Sequence, residues 1–198
     1  MALNLSGTTG IVTGNIGNSQ VTSAKLASGA ARANFGAGGV LQVVQGVVST
    51  VFTGTTANTW SDITGFSASI TPASASNKIL VIANIKAQST QNSTSRIMRD
   101  STPIGISTEA SPGSKVISSG GDFFGIGGSG VSIGGTGQGH THVYLDSPSS
   151  TSNLTYKIQY YLWTATSAAF YLNATYSNIN NPYTMLGIST ITLVEIVG

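Results

Sequence analysis

DSPSSTSNLTYKIQYYLWT, residues 146–164, decides the fold. A turn rich in Ser and Pro precedes strict alternation. Tyr156, Ile158, Tyr160 and Leu162 point one way, and Thr155, Lys157 and Gln159 point the other. Period two, carried by β-branched and aromatic residues, predicts an antiparallel strand with one buried face. The stretches on either side have the same form, so the expected fold class is all-β: an antiparallel, jelly-roll-like β-sandwich built around this strand.

Working outward, residues 40–52 form a long apolar-rich run, with a bulge expected at Gly46. Residues 60–70 follow a polar turn, and TPASASN (71–77) is a loop of turn residues. KILVIANIK (78–86) is apolar on both faces, as expected of a central strand. Residues 95–100 and 103–107 predict short strands joined by the Asp100–Pro103 turn, and 116–118 and 122–126 predict further short pieces. Residues 120–139 are low-complexity, with glycine at half of the positions. Strands are then expected at 140–145, 154–163, 168–175 and 188–197. Roughly eight to ten closely spaced strands suit a sandwich or jelly roll.

The amino-terminal 39 residues differ. Gly7, Gly10, Gly14 and Gly17 punctuate a stretch too poor in bulky apolar groups to bury a core alone. TSAKLASGAARANF (22–35) is the helical candidate, capped by Thr22 or Ser23 and ended by Gly36. Leu26, Ala30 and Ala33 make a thin apolar stripe at i, i+4, i+7. Copies of such a helix can approach closely, or a single copy can lie on the sandwich as a connector. The expected division is therefore 1–39, an extended segment with one short helix, which the resemblance given below makes an attachment and trimerisation segment, and 40–198, the β-sandwich.

Composition narrows the chemistry. Apolar residues make up 40% of the 198, enough for a core, while charged residues are only 7%, against roughly 25% in ordinary globular proteins. The net charge of +2 comes from scattered residues, which gives no footing for nucleic acid. There is no cysteine, so disulfides and thiolate chemistry are excluded. MALNLSGTTG lacks the basic start and apolar core of a secretory signal. The longest apolar runs are far too short to span a bilayer, so no membrane insertion is expected.

The six acidic residues are spread singly. Asp62, Asp100 and Asp146 read as turn residues that bond nearby backbone, and Glu195 reads as an outward or edge residue that discourages edge pairing. GIGGSG (125–130) matches a dinucleotide fingerprint only formally, since no helix is expected after it. No G-x-S-x-G elbow is present, and the expectation is a protein without catalysis. His140 and His142 are the two histidines of the chain. They share one face of a strand, so three chains on a threefold axis could offer six imidazoles to a transition-metal ion; the plainer reading is two ordinary strand residues, and no other cofactor is expected. Trp163, Phe170, Tyr171, Tyr176 and Tyr183 gather near the carboxyl end. Tyr176, Asn178, Asn180 and Tyr183 are candidates for stacking on and hydrogen-bonding a sugar, against a plainer role in core and turn. Gly130 and Gly135 mark the glycine-rich span as a candidate binding loop.

Several stretches resemble bacteriophage (cyanophage-like) tail-fibre proteins. NSQVTSAKLASGAARA (18–33) and LQVV (41–44) resemble the linker near their amino end. SITPASASNKILVIANI (69–85), RIMRDSTPIG (96–105), YLDSPSSTSNLTYKIQ (144–159) and STITLVEI (189–196) resemble their carboxyl-terminal β-domain. The resemblance implies a homotrimeric virion fibre or spike, assembled in the host cytoplasm and released by lysis. Its amino-terminal segment would join other virion proteins, and its knob would meet a host surface glycan or protein. The alternatives are a head-decorating or tail-tip architectural protein without receptor contact and a polysaccharide-degrading tailspike.

Overall fold

Along residues 154–162 every second side chain is buried, and Tyr156, Ile158 and Leu162 are completely shielded from solvent. The computed structural model describes residues 37–109, 113–120, 122–123, 138–163, 168–175 and 186–198. The chain divides after Gly36. The helix expected at 22–35 and the rest of the amino-terminal segment up to that point lie outside the described residues.

The strands are β1 (Val40–Val48), β2 (Phe52–Gly54), β3 (Trp60–Ile70), β4 (Lys78–Ser89), β5 (Ser93–Arg99), β6 (Thr102–Ile104), β7 (Asp122–Phe123), β8 (Gln138–Asp146), β9 (Leu154–Leu162), β10 (Phe170–Leu172) and β11 (Ser189–Ile196). All pairings are antiparallel. They build an antiparallel β-sandwich. In the six-stranded sheet β4 is central, with β8 on one side and β11 and β10 end to end on the other. β1 then flanks β11, and β2 flanks β10. The five-stranded sheet runs β3-β9-β5-β6, with β7 also on β5.

The core lies between the sheets. Ile79, Val81, Ala83 and Ile85 of β4 and Ile191 and Leu193 of β11 face Tyr156, Ile158, Tyr160 and Leu162 of β9. Tyr160 stacks on Phe170 at 4.9 Å and meets Phe52 edge-on at 5.9 Å. Each such pair adds about 0.5–1.5 kcal/mol beyond area burial.

Local departures have physical causes. The run 40–52 is broken after Val48 into β1 and β2, and Gly46 stays in register opposite Ile191. Its register shift lies between Val40 and Gln42. Gly46 is needed because the Ser67 carbonyl of the other sheet occupies the space of a Cβ. The larger bulge is in β3, between Asp62 and Ser67, where Gly65 has φ +79°. It brings Ile63 and Phe66 into the core although three positions separate them. Residues 116–118 carry no strand, and the Ser118 and Ser119 hydroxyls donate to the Gly120 and Ile104 carbonyls. β10 covers only Phe170–Leu172 of the expected 168–175.

Candidate functional site

The outer face of the five-stranded sheet carries most of the exposed chemistry. Register places Trp60, Tyr161 and Thr94 in one row across β3, β9 and β5, and Asp62, Gln159 and Arg96 in the next. Asp62 accepts from Lys157 Nζ and Gln159 Nε2, both at 2.7 Å. It is therefore a cross-strand partner in mid-strand and not the turn residue expected. Arg96 Nε donates to Gln159 Oε1 at 2.9 Å, and its guanidinium lies 4.3 Å from the Trp60 ring centroid. Trp60 in turn meets Tyr161 at 5.4 Å.

Beyond Tyr161 the face opens into a recess of about 210 Å³, lined by Tyr161, Trp163, Asn92, Thr94, Ser114 and Lys115 among others. Trp163 is 51% exposed. Its backbone N–H donates to the Asn92 carbonyl at 2.8 Å, which fixes the rim. Thr94 forms part of the floor, with its hydroxyl donating to the Gly120 carbonyl at 3.0 Å. Lys115 is ion-paired with Glu109 at 2.8 Å. Alternation along β9 could have placed Tyr161 and Trp163 on one face; nothing local in the sequence adds Asn92, Ser114 and Lys115.

Among the described residues the interior holds several polar clusters. Asp146 is a buried ion-pair partner and not a turn residue. It accepts from Arg99 Nη1 at 2.8 and 2.7 Å and from the Tyr156 hydroxyl at 2.7 Å, tying β8 of one sheet to β5 and β9 of the other. Burial, then the bond to Asp146, pushes the Tyr156 phenol well above its ordinary value. Glu195 is fully buried on β11, between β1 and β4, and not at an edge. Gln42 Nε2, the Ala73 N–H and Asn77 Nδ2 each donate to it at 2.6 Å. Period two puts Glu195 on the side of Ile191 and Leu193, and these donors replace its water. Asn173 links Val48 and Thr50 carbonyls to the Ser189 hydroxyl. Asp100 does sit in a turn, with φ 51°, and accepts from the Thr155 N–H at 2.9 Å.

His140 and His142 pair with Ile85 and Ala83, on the side of β8 that also carries Asp146. His142 is 4% exposed, and its Nε2 shares a 2.6 Å hydrogen bond with Ser95 Oγ. Burial, then the neighbouring His140, pulls its pKa down to about 4. A Ser–His pair at this distance is the geometry of an activated nucleophile. Ser95 is fully buried, however, and the ring lies against Gly120, so the pair belongs to the interior. No group of three or more metal-ligating side chains occurs among the described residues. Tyr176, Asn178, Asn180, Tyr183, Gly130 and Gly135 lie outside the described residues. Among the described residues no helix is long and apolar enough to cross a membrane.

No protein-family model matches the chain, and no curated protein matches it.

Proposed function

We propose that this chain is a structural fibre protein of a bacteriophage virion, homotrimeric, whose β-sandwich is the knob that meets the host cell surface. The observation that carries this reading is the position of the stretches resembling tail-fibre β-domains. They supply β4, the β8–β9 connection with most of β9, and β11, the strands around which the core is packed. A low-charge sandwich with a shallow aromatic recess suits contact-making better than turnover. Asp62, Glu109, Asp146 and Glu195 are engaged by neighbouring donors, which favours a binding role over hydrolysis of a polysaccharide.

Assembly is supported by the outer face of the six-stranded sheet. Leu145, Leu80, Val194 and Val43 follow one another across β8, β4, β11 and β1, and Val43 is 59% exposed. Contiguous apolar surface of this kind marks contact sites. The native mass of the purified full chain tests the reading: a species at three times the 20.1 kDa chain mass is expected, and a stable monomer would sink it. His142 is buried with its Nε2 engaged by Ser95 Oγ, so an ion shared between chains through His140 and His142 is not part of this reading.

A further inference from the structure

We infer that the recess beside Tyr161 and Trp163 is a binding site for a single neutral pyranose, the terminal or branch sugar of a surface glycan. Three observations lead there. First, the aromatic row Trp60–Tyr161–Trp163 is open at one end only. Arg96 lies over Trp60, so the aromatic surface left for a ligand is that of Tyr161 and Trp163, where Trp163 is 51% exposed. A pyranose presents an apolar C–H face to such rings and hydroxyls at its edge, which matches residues with an apolar body and a polar handle.

Second, apart from Val116 the rest of the lining is polar, and its one charged residue, Lys115, has a carboxylate partner just outside the recess. Asn92 and Ser114 are exposed at the recess and offer amide and hydroxyl groups. Lys115 is ion-paired with Glu109. An anionic ligand would have to compete with that carboxylate, and a hydrophobic ligand would leave the amide and hydroxyls without water or partners. Third, the recess holds about 210 Å³, below the roughly 300–1,000 Å³ of clefts that enclose drug-sized ligands. That space takes about one sugar ring, with the rest of a glycan left outside its open mouth. So small and open a site binds weakly, on the order of millimolar. Function would then require several copies engaged at once.

The inference deepens the adhesion reading above and rests on it for its biological meaning. The two fail separately. The chain has two tryptophans, so the full-length Trp60→Phe variant carries Trp163 as its sole indole reporter. The methyl pyranosides of glucose, galactose, mannose and N-acetylglucosamine are titrated into it, up to about 0.1 M as millimolar affinity requires. At least one is expected to change Trp163 emission saturably. In that background Asn92→Ala, which retains the backbone bond to Trp163, and Tyr161→Ala should each weaken the response at least about tenfold, a loss of the size of one good contact. Thermal midpoints identify any variant that has lost its fold, and Asn92→Ala is the one least exposed to that fate. Absence of a saturable response to every sugar overturns the inference, as does a response that Asn92→Ala leaves intact. Beads coated with the full chain that adhere to bacteria without any sugar response point to a protein receptor and overturn the ligand class alone. Sugar binding without adherence supports the site and removes the adhesion reading.

Discussion

On the outer face of the five-stranded sheet, Trp60, Asp62, Arg96, Lys157, Gln159 and Tyr161 interlock through rings, ion pairs and hydrogen bonds. Across the outer face of the six-stranded sheet, Val43, Val194, Leu80 and Leu145 stand in line, with Ile82 and Val143 beside them. Both faces use the same alternation, and both are the half-exposed side of strands whose other side is core. The first is rigid, polar and specific in shape. The second is apolar through its middle rows, with Lys78 and Lys86 on the same side of β4 toward either end. A rigid polar face with an open aromatic end suits a small ligand, and a smooth apolar one suits another protein surface.

The comparison depends on the interior holding the sheets together, so the largest effect should come from there. Asp146→Ala removes the carboxylate that bridges β8 to β5 and β9. It leaves Arg99 without its buried counter-charge, and both faces should loosen together. Chemical denaturation should show a loss of about 3–5 kcal/mol.

Acid acts on the same interior by another route. His142 has a pKa of about 4 in the folded chain against 6.5 as its ordinary value. Between these the unfolded chain binds the additional proton, so stability is full above pH 6.5 and falls as pH drops toward 4. The shift corresponds to about 3 kcal/mol. Thermal melts of wild type and His142→Gln across that window should diverge by this amount. Parallel curves would mean that the imidazole is not held neutral beside Ser95.

Trp60→Ala breaks only the five-stranded face. It removes the ring contacts with Arg96 and Tyr161, for an expected loss of about 1–2 kcal/mol in denaturant midpoint terms. The assembly mass should be unchanged. Val43→Lys combined with Leu145→Lys does the opposite. Both side chains are exposed, so stability should move by less than about 0.5 kcal/mol, while the native mass shifts toward the monomer. If the mass stays trimeric, the smooth face is not where copies meet.

Much of this could be read from the residues one at a time. Alternation along 155–162 predicts four of the five buried side chains of β9, and the apolar run 78–86 predicts the central strand β4. Asp100 sits in its expected turn, while Asp62 and Asp146 depart from expectation for a physical reason. Asp is common in turns, so Asp62 and Asp146 near strand ends suggest local bonding, yet their partners Lys157 and Arg99 are 95 and 47 residues away. Glu195 shares the parity of Ile191 and Leu193, a sign of burial that charge alone argues against. The recess was legible only in part. Trp163 stands out as an aromatic residue near the carboxyl end, whereas Asn92 and Lys115 reach it through strand pairing and loop placement.

Period, branching and turn composition thus settle the class of fold and the inward face of each strand, because both depend on neighbours two positions apart. Partner choice across the sheets follows a different rule. Which donors surround Asp146 and Glu195, why Gly46 meets the Ser67 carbonyl, and which side chains frame the opening beside Trp163 depend on register and on the stacking of two sheets. These bring together groups dozens of residues apart, and no local pattern encodes that distance.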